Sequence, residues 1–460
     1  MTTRQNTARE PFFPRDKEFY QTLVRLMSVV VLQNLVAYSV NMADNLMLGA
    51  YSQAALSGAA TVNMVQFMVQ QITMAIGDSV VVLGSQYWGQ RRTGPVRRLA
   101  GIALTVGLVF GLGVFAWTSL APRSLLTLFT DEEAYIAEGM AYLRLIRFTY
   151  PIYVVTTILM AALRSVEVVK IALRVSLLSL AVDVGINYTL IFGHFGAPEL
   201  GINGAAVGTL TARILELLIV LWYVLRRDDR LQLFRENPFR FDKTLTGSYF
   251  RIFVPSFLSN FLWSIATPIQ TGILGRLSAD AIAANSVSTT VFQYLKVLTV
   301  GEASASAVQM GKIVGSGCEE KKIRAYSRTL QVIYVAIGLT LAAALYFVRI
   351  PFLRMYSLTP TALELADQIM RLLCIIMAGM AYQMPTGVGI IKGGGDVKFM
   401  LVTNVISTWG IVMPLSYLAA FVWRLPIVWV VALLNSDQVF KCLPTAIHCN
   451  RYRWIKRLTK

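Results

Sequence analysis

Asp44 stands in the stretch LQNLVAYSVNMADNLMLGAYSQAALSG, from Leu32 to Gly58, a carboxylate among Gln33, Asn34, Asn41 and Asn45 in mostly apolar surroundings. A carboxylate inside a lipid span costs about 2.5–3.5 kcal/mol on insertion scales, so a chain keeps one where it faces protein or water and has a task there. Two chemistries suit it. It can exchange a proton, which requires its pKa to rise from about 3.9 toward 6–7, or it can stay ionised and share a sodium ion with oxygen ligands. Asp183 is a second acid of this kind, with Asn187 one turn further along the same helical face. Asp44 lies about 28 Å along its segment from Arg25 and Asp183 about 20 Å along its own from Lys170, which puts them at nearby heights. Asp44, Asp183, Asn187 and Asn41 form the expected cation-coupling set; the competing reading is a hydrogen-bonded structural carboxylate or a polar helix–helix clasp.

Glu302 and Asp78, each about 13–15 Å from the near end of its segment, are candidates for a second titrating site. Lys296 lies near mid-membrane with no acid suitably placed on its own helix, so it reads first as half of a cross-helix salt bridge and second as a counter-ion to substrate. Arg213 and Glu216, three apart, read as an internal ion pair. Arg144, Arg147 and Arg371 sit near the outer interface, where long basic side chains snorkel. Met64, Phe67, Met68 and Gln71 share one helical face, and Met377, Met380 and Met384, with Tyr382 and Gln383 close by, mark another. Methionine suits adaptable apolar binding, although such stripes are commonly plain packing. The candidate substrate pocket is Met64, Phe67, Met68, Lys296 and Gln383.

These residues must be positioned by membrane-spanning helices. The chain has 460 residues, 55% of them hydrophobic and only 15% charged, a balance of a multi-pass membrane protein. Segments of about 20 apolar residues, enough to cross the hydrocarbon core, recur near 23–48, 56–84, 98–121, 135–163, 170–193, 202–226, 250–274, 281–310, 327–349, 364–391, 399–423 and 426–447. The net charge of +17 would suggest nucleic acid in a soluble protein, but the basic residues collect at alternate segment ends. One set of loops carries Arg4, Arg9, Arg91, Arg92, Arg164, Lys170, Lys321, Lys322, Lys392 and a tail ending at Lys460; by the positive-inside rule those loops and both termini are cytoplasmic. Residues 14–26 are expected to form a short amphipathic helix on the membrane surface, and nothing in the N-terminal stretch suggests a cleaved signal. Cys318, Cys374, Cys442 and Cys449 are scattered and do not cluster with His194 or His448, so no metal site or disulfide is expected.

The most polar interior stretch, Arg226 to Gly247, falls near the middle of the chain. It divides a first six-helix lobe (1–226) from a linker (227–247) and a second lobe (248–460). The lobes look like repeats: Leu48-Gly49, Ser52 and Ala55-Leu56 match Leu274-Gly275, Ser278 and Ala281-Ile282, Gly89 falls on Gly315, and Arg164 and Lys170 fall on Lys392 and Lys398 at nearly the same offset. An even number of spans per half makes this a parallel repeat, with a central cleft expected between rocking bundles.

Three motifs then carry a family resemblance: Ala43-Asp44-x-x-Met47-Leu48-Gly49 with Ala55-Leu56-Ser57-Gly58-Ala59; Ile191-Phe192-Gly193-x-x-Gly196-x-Pro198-x-Leu200-Gly201-x-x-Gly204-Ala205-Ala206; and Gly393-Gly394-Gly395-Asp396-x-Lys398. In these the chain resembles the multidrug and toxic compound extrusion (MATE) family, in a bacterial branch that couples through the first helix. The resemblance implies an all-α membrane protein of twelve transmembrane helices in two pseudo-symmetric six-helix lobes, and export of small organic, often cationic or amphipathic, compounds in exchange for H+ or Na+ by alternating access. Physically, Gly193 to Gly201 make a tight turn, Gly204 and Gly208 allow close helix approach, and Gly393 to Gly395 break a helix. The seventh segment has no acid, and the tenth has Glu364 and Asp367 only at its mouth, which shifts the coupling duty to Asp44. The expected protein is not an enzyme and needs no cofactor beyond its coupling ion. Its partners are a small organic substrate and membrane lipid, not nucleic acid, and it is a monomer in the cell (inner) membrane. The alternative is a lipid-linked precursor flippase of the same superfamily. A membrane enzyme lacks its motifs, and a channel lacks a filter.

Overall fold

Hydrocarbon offers the backbone no hydrogen bonds, so a spanning chain must satisfy them within helices. A computed structural model describes residues 14–240, 242–277, 279–356 and 358–459. Arg4, Arg9, Ser278 and Lys460, which enter the charge and repeat readings, lie outside the described residues. Within them the chain is helical between turns, and the helices follow the expected segments: α1 (Lys17–Tyr51), α2 (Gln53–Gly89), α3 (Thr93–Leu120), α4 in two pieces (Glu133–Ile146 and Thr149–Ser165), α5 (Lys170–Phe192), α6 (Ile202–Arg226), α7 (Lys243–Gly275), α8 (Ala279–Gly315), α9 (Glu320–Leu353), α10 (Pro360–Lys392), α11 (Val397–Val422) and α12 in two pieces (Ile427–Leu434 and Asp437–Asn450). Among the described residues nine of these are single helices long and apolar enough to cross a membrane, and the pairs in α4 and α12, bent by 53° and 41°, raise the number to eleven. The twelfth, α8, has the length but not the apolarity, because its 37 residues include Asp280, Lys296, Glu302 and Lys312 among many hydroxyls.

Contacts group the chain into two compact units, residues 28–269 and residues up to 27 together with 270–460. In the first unit α5 meets α6 at small residues. A Cβ on Gly204 would stand 2.7 Å from the backbone of Leu190, and one on Gly208 would stand 1.9 Å from Asn187 Oδ1. The connecting turn uses left-handed backbone at Gly193 (φ 70°) and Gly201 (φ 53°), which glycine adopts without strain. The polar stretch after α6 is an ordered clasp: the Asp228 carboxylate accepts from the amides of Arg230, Leu231 and Gln232 at 3.1, 3.0 and 2.8 Å. Arg97 of α3 then binds the Leu231 carbonyl at 2.7 Å and Glu236 at 3.0 Å.

In the second unit the core is built from Phe292, Leu345, Ile369, Met370, Leu373, Met377, Met380, Val430 and their neighbours. Met377 and Met380 are therefore packing residues, the commoner of the two readings of that stripe. α10 widens into π-turns from Pro385, which has no N–H to donate, and breaks at Gly393–Gly395. Asp396 there caps α11 through the Phe399 amide at 3.4 Å and holds His448 at 3.0 Å and Lys456 at 2.8 Å. The expected surface helix over 14–26 is not separate. Its residues are the opening turns of α1, because Phe19, Leu23 and Leu26 are buried and Phe19 packs on the Tyr326 ring at 4.5 Å. Arg371 is not simply snorkelling either; with Arg349 it clamps Asp367, at 2.6 and 3.0 Å.

Candidate functional site

Asp44 arrives on α1, and Asp183 and Asn187 on one face of α5. Asn187 Nδ2 donates to Asp44 Oδ1 at 2.7 Å and to Asp183 Oδ2 at 3.3 Å, so one amide bridges two carboxyls from different helices. Asp183 and Asn187 are 1% and 0% exposed, while Asp44 is half-buried. Gly208 is what lets Asn187 stand between the helices, since any side chain there would occupy the position of its Oδ1. Among the described residues three buried oxygens around this bridge, Asp183 Oδ1, Asn187 Oδ1 and Thr209 Oγ1, make no hydrogen bond of good geometry. Arg213 lies within electrostatic reach of both carboxyls, but its own guanidinium is engaged by Glu216 at 2.8 Å and covers the Tyr153 ring at 5.1 Å.

Two carboxyls this close repel when both are ionised, so the arrangement favours one positive charge between them, a proton or a small cation. The unpartnered oxygens are what such an ion would engage. Asn41 is exposed and is not among the hydrogen-bond partners of Asp44; the amide that reaches Asp44 comes from α5. Thr209 and Tyr142, the latter within electrostatic reach of both acids, were not legible as site residues. Thr209 had a usable signal, following directly on the close-approach glycine; Tyr142, from another helix, had none.

The remaining candidates divide between the units. Asp78, on α2, faces Arg164 across the first unit. Met64 is exposed, and Phe67 and Met68 are half-buried. In the second unit Glu302 is 1% exposed and neither of its carboxyl oxygens has a hydrogen-bond partner. Gln383 is buried and donates to Gln438 Oε1 at 2.7 Å; Gln438 in turn donates to both oxygens of Asp437 at 3.1 Å. Lys441 pairs with Asp437 at 2.7 Å and donates to Asn404 Oδ1 at 3.1 Å. Lys296 is half-buried and the charge facing it is Asp437. Sequence reasoning passed over the Asp437–Lys441 pair. Its signal was an acid and a base four apart within the last apolar segment.

A two-lobed, twelve-helix membrane fold with an amide-bridged pair of carboxyls inside one lobe is the architecture of a membrane transporter. The MatE family model matches residues 30–189 and 255–418, and the chain belongs to that family of multidrug efflux transporters. It is similar to the probable multidrug resistance protein NorM of Thermotoga maritima (23% identical, covering 97% of this chain and 96% of that one) and to the multidrug resistance protein MdtK of Pectobacterium atrosepticum (22%, covering 87% and 88%). Among solved structures, the outward-facing conformation of a multidrug resistance MATE family transporter superposes with a TM-score of 0.85 at 18% identity, over 95% of this chain and 96% of that one. A MOP superfamily transporter from Pyrococcus furiosus, described as having a binding pocket of reverse polarity, does so with a TM-score of 0.85 at 16% identity, over 96% and 97%. At these identities the structures speak for the fold.

Proposed function

We propose that the protein exports small amphipathic organic compounds across the cell (inner) membrane in exchange for H+ or Na+, by alternating access, and that Asp44, Asp183 and Asn187 bind the coupling ion. The observation that carries this is the single Asn187 amide shared by two carboxyls, beside buried oxygens left without partners. An ion from outside completes the site; its release inward leaves two facing acids, a state that favours rearrangement and renewed substrate exchange. Glu302 is assigned as a second titrating group, supported by its burial without a partner. Asp78 is assigned to an ion pair with Arg164. Met64, Phe67 and Met68 supply an adaptable apolar wall in the first unit. The protein works as a monomer solvated by lipid, with both termini cytoplasmic as the loop charges indicate.

The test is ion-driven efflux from proteoliposomes with imposed gradients of one ion at a time. Either a pH gradient or a sodium gradient drives efflux of an organic dye, and Asp44→Asn abolishes the driven component. Driven efflux that persists in Asp44→Asn defeats the assignment of the ion site.

A further inference from the structure

Lys296 is an interior cation of the second unit for which the exporter scheme has no use. A salt bridge is the first expectation for it, and among the described residues the charge that faces it is Asp437. That acid is already satisfied within its own helix. Its Oδ2 is held by Lys441 at 2.7 Å, and Gln438 Nε2 reaches both oxygens at 3.1 Å. Among the described residues Lys296 has no ion pair of its own. Glu302, on the same helix, does not supply one, since both its oxygens are without partners. At Asp437, then, two ammonium groups, Lys296 and Lys441, face one engaged carboxylate.

An ammonium half-withdrawn from water without a counter-charge is unfavourable unless an anionic group reaches it. The residue is half-buried rather than sealed. The same stretch of helix meets the apolar core: Leu295 and Met384 pack partly buried against it, and Met384 Sδ receives the Thr299 hydroxyl, one turn along the helix from Lys296, at 3.8 Å. An ammonium beside an apolar core suits an organic molecule with an apolar body and a carboxylate.

We infer that Lys296 is an anion-recognising group of a substrate site in the second unit, and that the compounds this protein binds best carry a free carboxylate. This rests on the exporter reading and narrows its substrate class from cationic compounds toward organic acids and zwitterions. A carboxylate seated on Lys296 gains a charge-assisted hydrogen bond that an ester of the same body cannot match.

Equilibrium binding to the purified protein, measured without any ion gradient, tests it with a matched pair: a xanthene dye bearing a free carboxylate and the ethyl ester of the same dye. The wild-type protein is expected to bind the acid about tenfold or more tightly than the ester. Lys296→Met removes that preference and Lys296→Arg keeps it. Equal affinity of the wild-type protein for the two dyes overturns the inference, whatever the fate of the variants, and so does a preference that survives in Lys296→Met. Gradient-driven efflux of the ester by the wild-type protein reads the exporter assignment separately, so the two can fail independently.

Discussion

At the scale of residues, the candidate ion site was readable because its members obey a helical rule. Asp183 and Asn187 are one turn apart, and helical rise alone placed Asp44 near their level. What could not be read was which amide would reach Asp44. Asn41 and Asn45 are near it in sequence, yet Asn187 makes the bond, because Gly208 leaves the volume that its side chain needs. The same limit hid the relation between Lys296 and Asp437, which belong to helices far apart in the chain. The geometry makes Gly208→Ala a probe of the site from behind. Its new methyl group would fall 1.9 Å from Asn187 Oδ1, so the amide must turn away from the two acids. Overpacking of this kind destabilises by about 1–3 kcal/mol, and ion-driven efflux should fall with it to the level of Asn187→Ala. Thermal unfolding in detergent and vesicle efflux measured side by side check this. A Gly208→Ala protein with wild-type coupling would show that the bridge is dispensable.

At the scale of elements, span positions followed apolar runs, while breaks and continuations depended on contacts. The polar-basic start of the chain looked like a surface helix, but it continues into α1 because Phe19, Leu23 and Leu26 find cover within the second unit. The bend in α4 and the wide turns in α10 were likewise invisible in composition alone. The start of α1 is fixed by Asp16, whose carboxylate accepts from the Tyr326 hydroxyl at 2.6 Å and from the Phe19 amide at 3.1 Å. The Tyr326 bond holds this carboxyl below its usual range, with partial burial opposing it and the Phe19 amide assisting. A depressed native pKa adds stability above the unfolded value, about 3.9, and that increment is lost as pH falls through the lowered native value. Tyr326→Phe should accordingly lower the unfolding temperature at neutral pH, by an amount corresponding to about 1 kcal/mol. The gap from wild type should close below the ordinary carboxylate range. A gap that stays constant down to that pH would place the effect in ring packing instead.

At the scale of the whole molecule, the repeat was legible in glycines and loop charges, and it describes scaffold, not chemistry. Asp44 has Gln270 as its repeat counterpart, which cannot titrate, while the second unit carries its own buried acid at Glu302. If both units titrate during one cycle, the number of ions exchanged per substrate is a property of the pair. Removing Glu302 should then change the gradient that transport can sustain without changing whether transport occurs. Under a pH gradient and with membrane potential clamped, each exchanged proton supports about a tenfold substrate ratio per pH unit, since a factor of ten corresponds to about 1.4 kcal/mol. Glu302→Gln should keep driven efflux but reach a steady-state ratio about tenfold smaller per pH unit than the wild-type protein, whereas Asp44→Asn should reach none. The steady-state dye ratio across vesicles at two imposed gradients distinguishes these outcomes, because stoichiometry appears in the slope and catalytic rate does not. An unchanged slope in Glu302→Gln would confine coupling to the first unit and leave Glu302 a packed, protonated acid.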